Sequence, residues 1–127
     1  MTTLLCLAVA IYFEARGEPI SGQEAVAEVV MNRVEDARYP DTVCDVVFAD
    51  SAFSFTKDGN PDKLPKIPTE ASYKALQVAS EVINGYRIGI TSTHYHEASI
   101  DPVWASSYDC DGEIGSHIFY TNNTRDK

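Results

Sequence analysis

The feature that constrains the fold most is an apolar stripe at the start of the chain: Leu4, Leu7, Ala8, Ile11 and Ala15, at the spacing of one helical face. Thr2 or Thr3 can cap this helix, and Gly17 followed by Pro19 stops it, so a first helix is expected over about Thr3 to Arg16. The stripe continues by spacing onto position 14, where an apolar residue belongs and Glu14 stands instead. A carboxylate there points at the core or at a cleft. Desolvation disfavours a carboxyl group's charged form, which is how glycosidases keep a protonated glutamate ready near neutral pH. Spacing alone leaves a second reading open, in which Glu14 sits at a frayed helix end beside Arg16 or a backbone donor.

The rest of the chain punctuates itself as further helices. Ser21 with Glu24 has the form of a capping box ahead of a stripe Val26, Val29, Val30, Val34, ending before Tyr39-Pro40. Thr42 and Asp45 repeat the pattern before a shorter helix with Val43, Val46 and Val47. Lys57 to Pro68, with Pro61, Pro65 and Pro68, reads as an exposed loop. A fourth helix starts near Thr69 with Tyr73, Leu76, Ala79 and Ile83 on one face and Asn84-Gly85 as its stop. Ile88 to His96 is β-branched and aromatic, and Ile118-Phe119-Tyr120 is a second extended candidate. The fold class expected is α+β, mostly α.

The length of 127 residues suits a single domain spanning the whole chain, expected as a monomer. A net charge of −9 argues against nucleic acid, whose affinity comes from clustered Lys and Arg. The run Leu4 to Phe13 lacks the basic flank and cleavage site of a signal peptide and is too short to span a bilayer, so no stable membrane insertion is expected. Cys6, Cys44 and Cys110 form no CxxC pair. They allow a Cys44–Cys110 bridge, with buried free thiols as the default.

Other side chains could carry chemistry. His94 and His96 alternate along an extended segment and with His117 could hold a metal, although no HExxH helix accompanies them. Hydrogen bonding is the commoner role for such histidines, and no metal or other cofactor is expected. Tyr12, Tyr95, Trp104 and Tyr120 could stack on sugar rings or pack in the core.

The run Ala10-Ile11-Tyr12-Phe13-Glu14-Ala15-Arg16-Gly17-Glu18-Pro19, followed by Gly22-Gln23-Glu24-Ala25-Val26-Ala27 and Val30-Met31-Asn32-Arg33-Val34, resembles the signature of the spore cortex-lytic, SleB/CwlJ-type cell wall hydrolases. The resemblance continues through Tyr39 to Val47, Phe53-Ser54-Phe55, His94-Tyr95-His96, Trp104-Ala105 and Gly115 to Tyr120, nearly the whole chain. It implies a catalytic domain similar to lysozymes and resuscitation-promoting factors, acting on peptidoglycan glycan strands at the bacterial cell wall, in the periplasm or outside. It also implies that Glu14 is the catalytic residue, with Tyr12, Ser54, Phe55, His94, Tyr95, His96, Trp104, His117 and Tyr120 as candidate substrate contacts. At position 55 members often carry tryptophan, so the sugar contact expected of Phe55 is weakened.

Glu18 is expected to support the Gly17-Glu18-Pro19 turn. Most glycosidases use two carboxylates, and Asp41, Asp45 and Asp50 are candidates for the second by composition only. Lytic transglycosylases resemble this chain more closely in managing with one glutamate, which protonates the leaving oxygen and then serves as base for the muramic acid 6-hydroxyl. A water-using muramidase and a non-catalytic peptidoglycan-binding module are the alternatives. The lack of a signal peptide suggests a phage endolysin exported through a holin, and a trimmed catalytic domain would look identical.

Overall fold

A computed structural model describes residues 1–49, 64–65 and 68–123. Ser54, Phe55, Asp50 and most of the loop expected from Lys57 to Pro68 lie outside the described residues. Among the described residues the helices are α1 (Thr3–Ala15), α2 (Ile20–Val34), α3 (Val43–Val47) and α4 (Glu70–Ile83). They are followed by β1 (His94–Glu97), a 3-10 turn at Val103–Ser107, β2 (Asp109–Ile114) and β3 (His117–Thr121). The strands form an antiparallel sheet in the order β1-β3-β2, beside the helices. This is the α+β, mostly helical class the sequence predicts.

Helix α1 is the centre of the molecule. Thr2 caps it by accepting the Leu5 amide at 3.2 Å, and the run from Cys6 to Tyr12 is buried without interruption. A helix apolar all round must be enclosed, and α1 packs against α2, α3 and α4. Burying Leu7 and Ile11 contributes about 1.5–3 kcal/mol each. A Cys6–Cys44 disulfide, with Cα atoms 5.2 Å apart, ties α1 to α3. Cys110 is free and exposed on β2. The Cys44–Cys110 pairing that the sequence allows is therefore not formed, because α3 docks Cys44 on the first turns of α1 and not on the sheet.

Three other expectations shift. The box expected at Ser21 and Glu24 does not form: Pro19, fixed in extended geometry, is the N-cap, so Ser21 falls inside α2. Thr42 does cap α3, accepting the Asp45 amide. Helix α4 carries a reciprocal Thr69–Ser72 box, but buries Ser72, Ala75, Val78, Ala79 and Val82 and leaves Tyr73 62% and Ile83 38% exposed. Small and β-branched side chains let α4 lie close on α1, where a tyrosine would hold it off.

The stretch before β1 is not the continuous strand expected from Ile88. Buried Glu28 of α2 accepts the amides of Ile88 (2.7 Å), Gly89 (2.9 Å) and Ile90 (2.6 Å). One turn on, Asn32 donates to the carbonyls of Ile90 and Ser92, and Arg33 Nε donates to that of Thr93. Side chains of α2 thus take the backbone groups that a sheet would have used, and Gly89, at φ +94°, supplies the turn. Only from His94 does the chain enter the ladder.

Candidate active site

Alternation along β1 sorts the site residues onto two faces of the sheet. Tyr95 pairs opposite Phe119 and faces the helices, where Phe119 belongs to the apolar cluster with Ala15, Val26 and Val29. His94 and His96 face the other way with Tyr120.

On the helix side, Glu14 sits half-buried in the last turn of α1. The Tyr95 hydroxyl donates to its Oε1 at 2.6 Å across 81 positions of sequence. Burial pushes the Tyr95 phenol well above its ordinary value, the charge and hydrogen bond of Glu14 add to this, and Arg33 opposes it. The phenol therefore holds its proton and remains a donor. Arg33, part-buried and bonded to the Thr93 carbonyl just before β1, has its pKa lowered by burial against the opposing pull of Tyr39, Tyr95 and Glu14, and its guanidinium lies 5.1 Å over the Tyr39 ring. Arg33 and Tyr39, not among the residues expected from the sequence, thus join the surroundings of Tyr95 and Glu14. The signal available was a polar Asn32-Arg33 pair directly after the apolar run Val29-Val30-Met31.

The other carboxylates near this corner have structural partners. Glu28 holds the three amides before β1. Glu18 accepts both the amide (2.7 Å) and the hydroxyl (2.5 Å) of Ser116 in the β2–β3 turn. Burial raises the Glu18 carboxyl, but the Ser116 hydroxyl, the Ser116 amide and His117 outweigh it and the net shift is downward. Glu18 supports its turn, as expected, by reaching across to the sheet. Asp111, at a ladder irregularity between Cys110 and Gly112, accepts from Ser92 and Thr121 hydroxyls.

On the opposite face, His94 lies among Tyr39, Trp104 and Tyr108, with ring centroids 6.4, 5.3 and 4.8 Å away. Burial, then Arg33 and Arg38, lower its pKa to about 4. His96 stacks on Tyr120 and uses both nitrogens: Nδ1 donates to the Glu97 carbonyl at 2.7 Å and Nε2 accepts from the Tyr120 hydroxyl at 2.9 Å. His117 points to the helix side, against Tyr95 and Phe119. The sheet thus separates the three histidines that the sequence could have combined around a metal, and among the described residues no cluster of three metal-ligating side chains occurs.

Of the aromatic candidates, Tyr12 is buried in the helical core with Arg16 over its ring, about 200° round α1 from Glu14. His117 and Tyr120 are also buried, which commits their rings to packing. Trp104 is half-buried and touches His94, His96, Tyr108 and Tyr120. Tyr95 alone among these is brought to Glu14.

Residues 17–120 match the cell wall hydrolase family, and the chain belongs to that family. The match begins three residues after Glu14. The chain is 37% identical over 114 residues to the spore cortex-lytic enzyme of Oceanobacillus iheyensis, covering 89% of this chain and 39% of the relative. It is 33% identical over 115 residues to that of Bacillus subtilis, covering 89% of this chain and 35% of the relative. It thus spans well under half the length of these relatives. Its fold matches the catalytic domain of the Bacillus cereus SleB protein, with TM-score 0.74, 35% identity and coverage of 94% of this chain and 89% of that one. It also matches the catalytic domain of the germination-specific lytic transglycosylase SleB from Bacillus anthracis, with TM-score 0.75, 35% identity and coverage of 94% and 93%. Among the described residues, no helix is long and apolar enough to cross a membrane.

Proposed function

We propose that this chain is the catalytic domain of a peptidoglycan lytic transglycosylase that cuts between N-acetylmuramic acid and N-acetylglucosamine, with Glu14 as its proton-transfer group. The observation that carries the reading is the Tyr95–Glu14 hydrogen bond, formed where Glu18, Glu28 and Asp111 are each held by structural partners. In this reading one carboxyl serves twice. In the first step it gives its proton to the glycosidic oxygen as the bond to the anomeric carbon breaks. In the second it takes the proton of the muramic acid 6-hydroxyl as that oxygen closes on the same carbon. The net reaction consumes no water and restores Glu14.

Tyr95 contributes by fixing the carboxyl orientation with a donor that does not ionise. Arg33 supplies positive charge nearby as the leaving oxygen and the carboxylate change charge. Trp104, half-buried on the sheet face turned away from Glu14, and His94 beside it would meet a sugar ring beyond the one being cleaved. The names of the relatives favour spore-cortex peptidoglycan over a phage-lysis substrate as the first to test.

Mass analysis of muropeptides released from purified cortex or sacculi distinguishes the mechanisms. Anhydromuramic ends support the transglycosylase. Reducing ends, heavier by one water, would make the domain a muramidase, and sedimentation with sacculi without release would make it a binding module.

A further inference from the structure

Around Glu18 the chain is packed more tightly than a turn requires. A Cβ on Gly115 would come within 2.3 Å of Glu18 Oε1, and Gly115 has φ +61°. A Cβ on Gly22 would stand 3.0 Å from Glu18 Cβ. The carboxylate is therefore fitted between α2 and the β2–β3 turn, where Ser116 donates to both of its oxygens. His117 follows directly. It is 5% exposed, and its buried Nδ1 has no hydrogen-bond partner and faces Glu18 Oε1 at 3.8 Å. Leaving a buried polar atom unpaired costs about 1–3 kcal/mol, and an apolar ring at position 117 would avoid that cost. The imidazole's other contacts are the Tyr95 ring, edge-on at 4.9 Å, and Phe119.

These contacts form a closed circuit. Glu14 and Glu18 lie four residues apart at the end of α1. Tyr95 reaches Glu14 from the sheet, His117 packs on Tyr95, and Glu18 faces His117. We propose that Glu18 and His117 form a buried positioning pair that sets the angle of the Tyr95 ring and, through it, the orientation of the Glu14 carboxyl. The proposal rests on Glu14 being the acid/base. It assigns His117 no contact with substrate: its imidazole faces the Glu18 carboxylate on one side and Tyr95 on the other.

The test is a double-mutant cycle on cortex peptidoglycan. His117→Phe keeps a ring against Tyr95 and removes the nitrogen facing Glu18. It is expected to lower kcat about tenfold with KM unchanged. In a Tyr95→Phe background, where no hydroxyl remains to be aimed, the same change should lower kcat less than twofold. Glu18→Gln, which keeps the shape and one acceptor oxygen, should restore most of the activity that Glu18→Ala loses, and it provides a second readout if His117→Phe folds poorly. An unchanged kcat in His117→Phe, or an equal loss in both backgrounds, would overturn the proposal. Glu14→Gln, assayed alongside, separates the two ideas: if it stays active, the acid/base reading fails whatever the cycle gives.

Discussion

The Tyr95 hydroxyl lies 2.6 Å from Glu14 Oε1, joining the first strand of the sheet to the last turn of the first helix. Hydrogen bonds to charged partners contribute about 1.5–3 kcal/mol. If that bond orients the reacting carboxyl, Tyr95→Phe should lower kcat about 10–100-fold with little change in KM. The ring itself would still pack on Phe119 and His117, so the melting temperature should move by only a few degrees. Steady-state kinetics with soluble muropeptide oligomers, paired with a thermal melt, checks both.

Glu28 makes the contrasting prediction, a structural effect felt at the site. Its carboxylate accepts the part-buried amides of Ile88, Gly89 and Ile90. Glu28→Ala should destabilise the domain by about 3–5 kcal/mol, since each orphaned amide costs about 1–3 kcal/mol. Urea unfolding measures it. A loss under about 1 kcal/mol would mean that residues 88–90 are held by something else.

His94 makes stability depend on pH. Its folded pKa is about 4, below the ordinary imidazole value near 6.5, because burial and then the charges of Arg33 and Arg38 disfavour the cation. Between those two values the unfolded chain binds more protons than the folded one, so stability from this group is complete above about 6.5 and declines toward about 4. His94→Gln should flatten this part of a melting temperature versus pH curve. An unchanged slope would contradict it.

Much of this architecture is legible in the sequence because helices announce themselves locally. The helix α1, its Thr2 cap and the stop at Gly17 and Pro19 recur in the structure to within a residue, although α1 is buried on all faces and Leu4 of the expected stripe is exposed. The interruption of that stripe marks Glu14. What was not legible depends on distant partners. Strand β2, Asp109–Ile114, has the composition of a turn and exists because β3 pairs with it around an irregularity between Cys110 and Gly112. Ile88 to Thr93 looks like a strand, but Glu28, Asn32 and Arg33 claim its backbone. Alternation puts His94 and His96 on one face, yet only the register of β1 against β3 shows that His117 lies on the other. The Cys6–Cys44 bridge needed the docking of α3 on α1, which no spacing reveals.

Glu14 carries both proton transfers of the proposed reaction, and one substitution tests that role most directly. Glu14→Gln keeps the size of the side chain and an oxygen to accept from Tyr95, but it can neither give up nor take the proton that the reaction moves. Followed as turbidity loss of cortex peptidoglycan, wild-type protein should clear the suspension. Glu14→Gln should be slower by at least about a thousandfold, roughly 4 kcal/mol in the barrier, with a melting temperature close to that of wild type. Clearing by Glu14→Gln at a rate within tenfold of wild type would contradict the account.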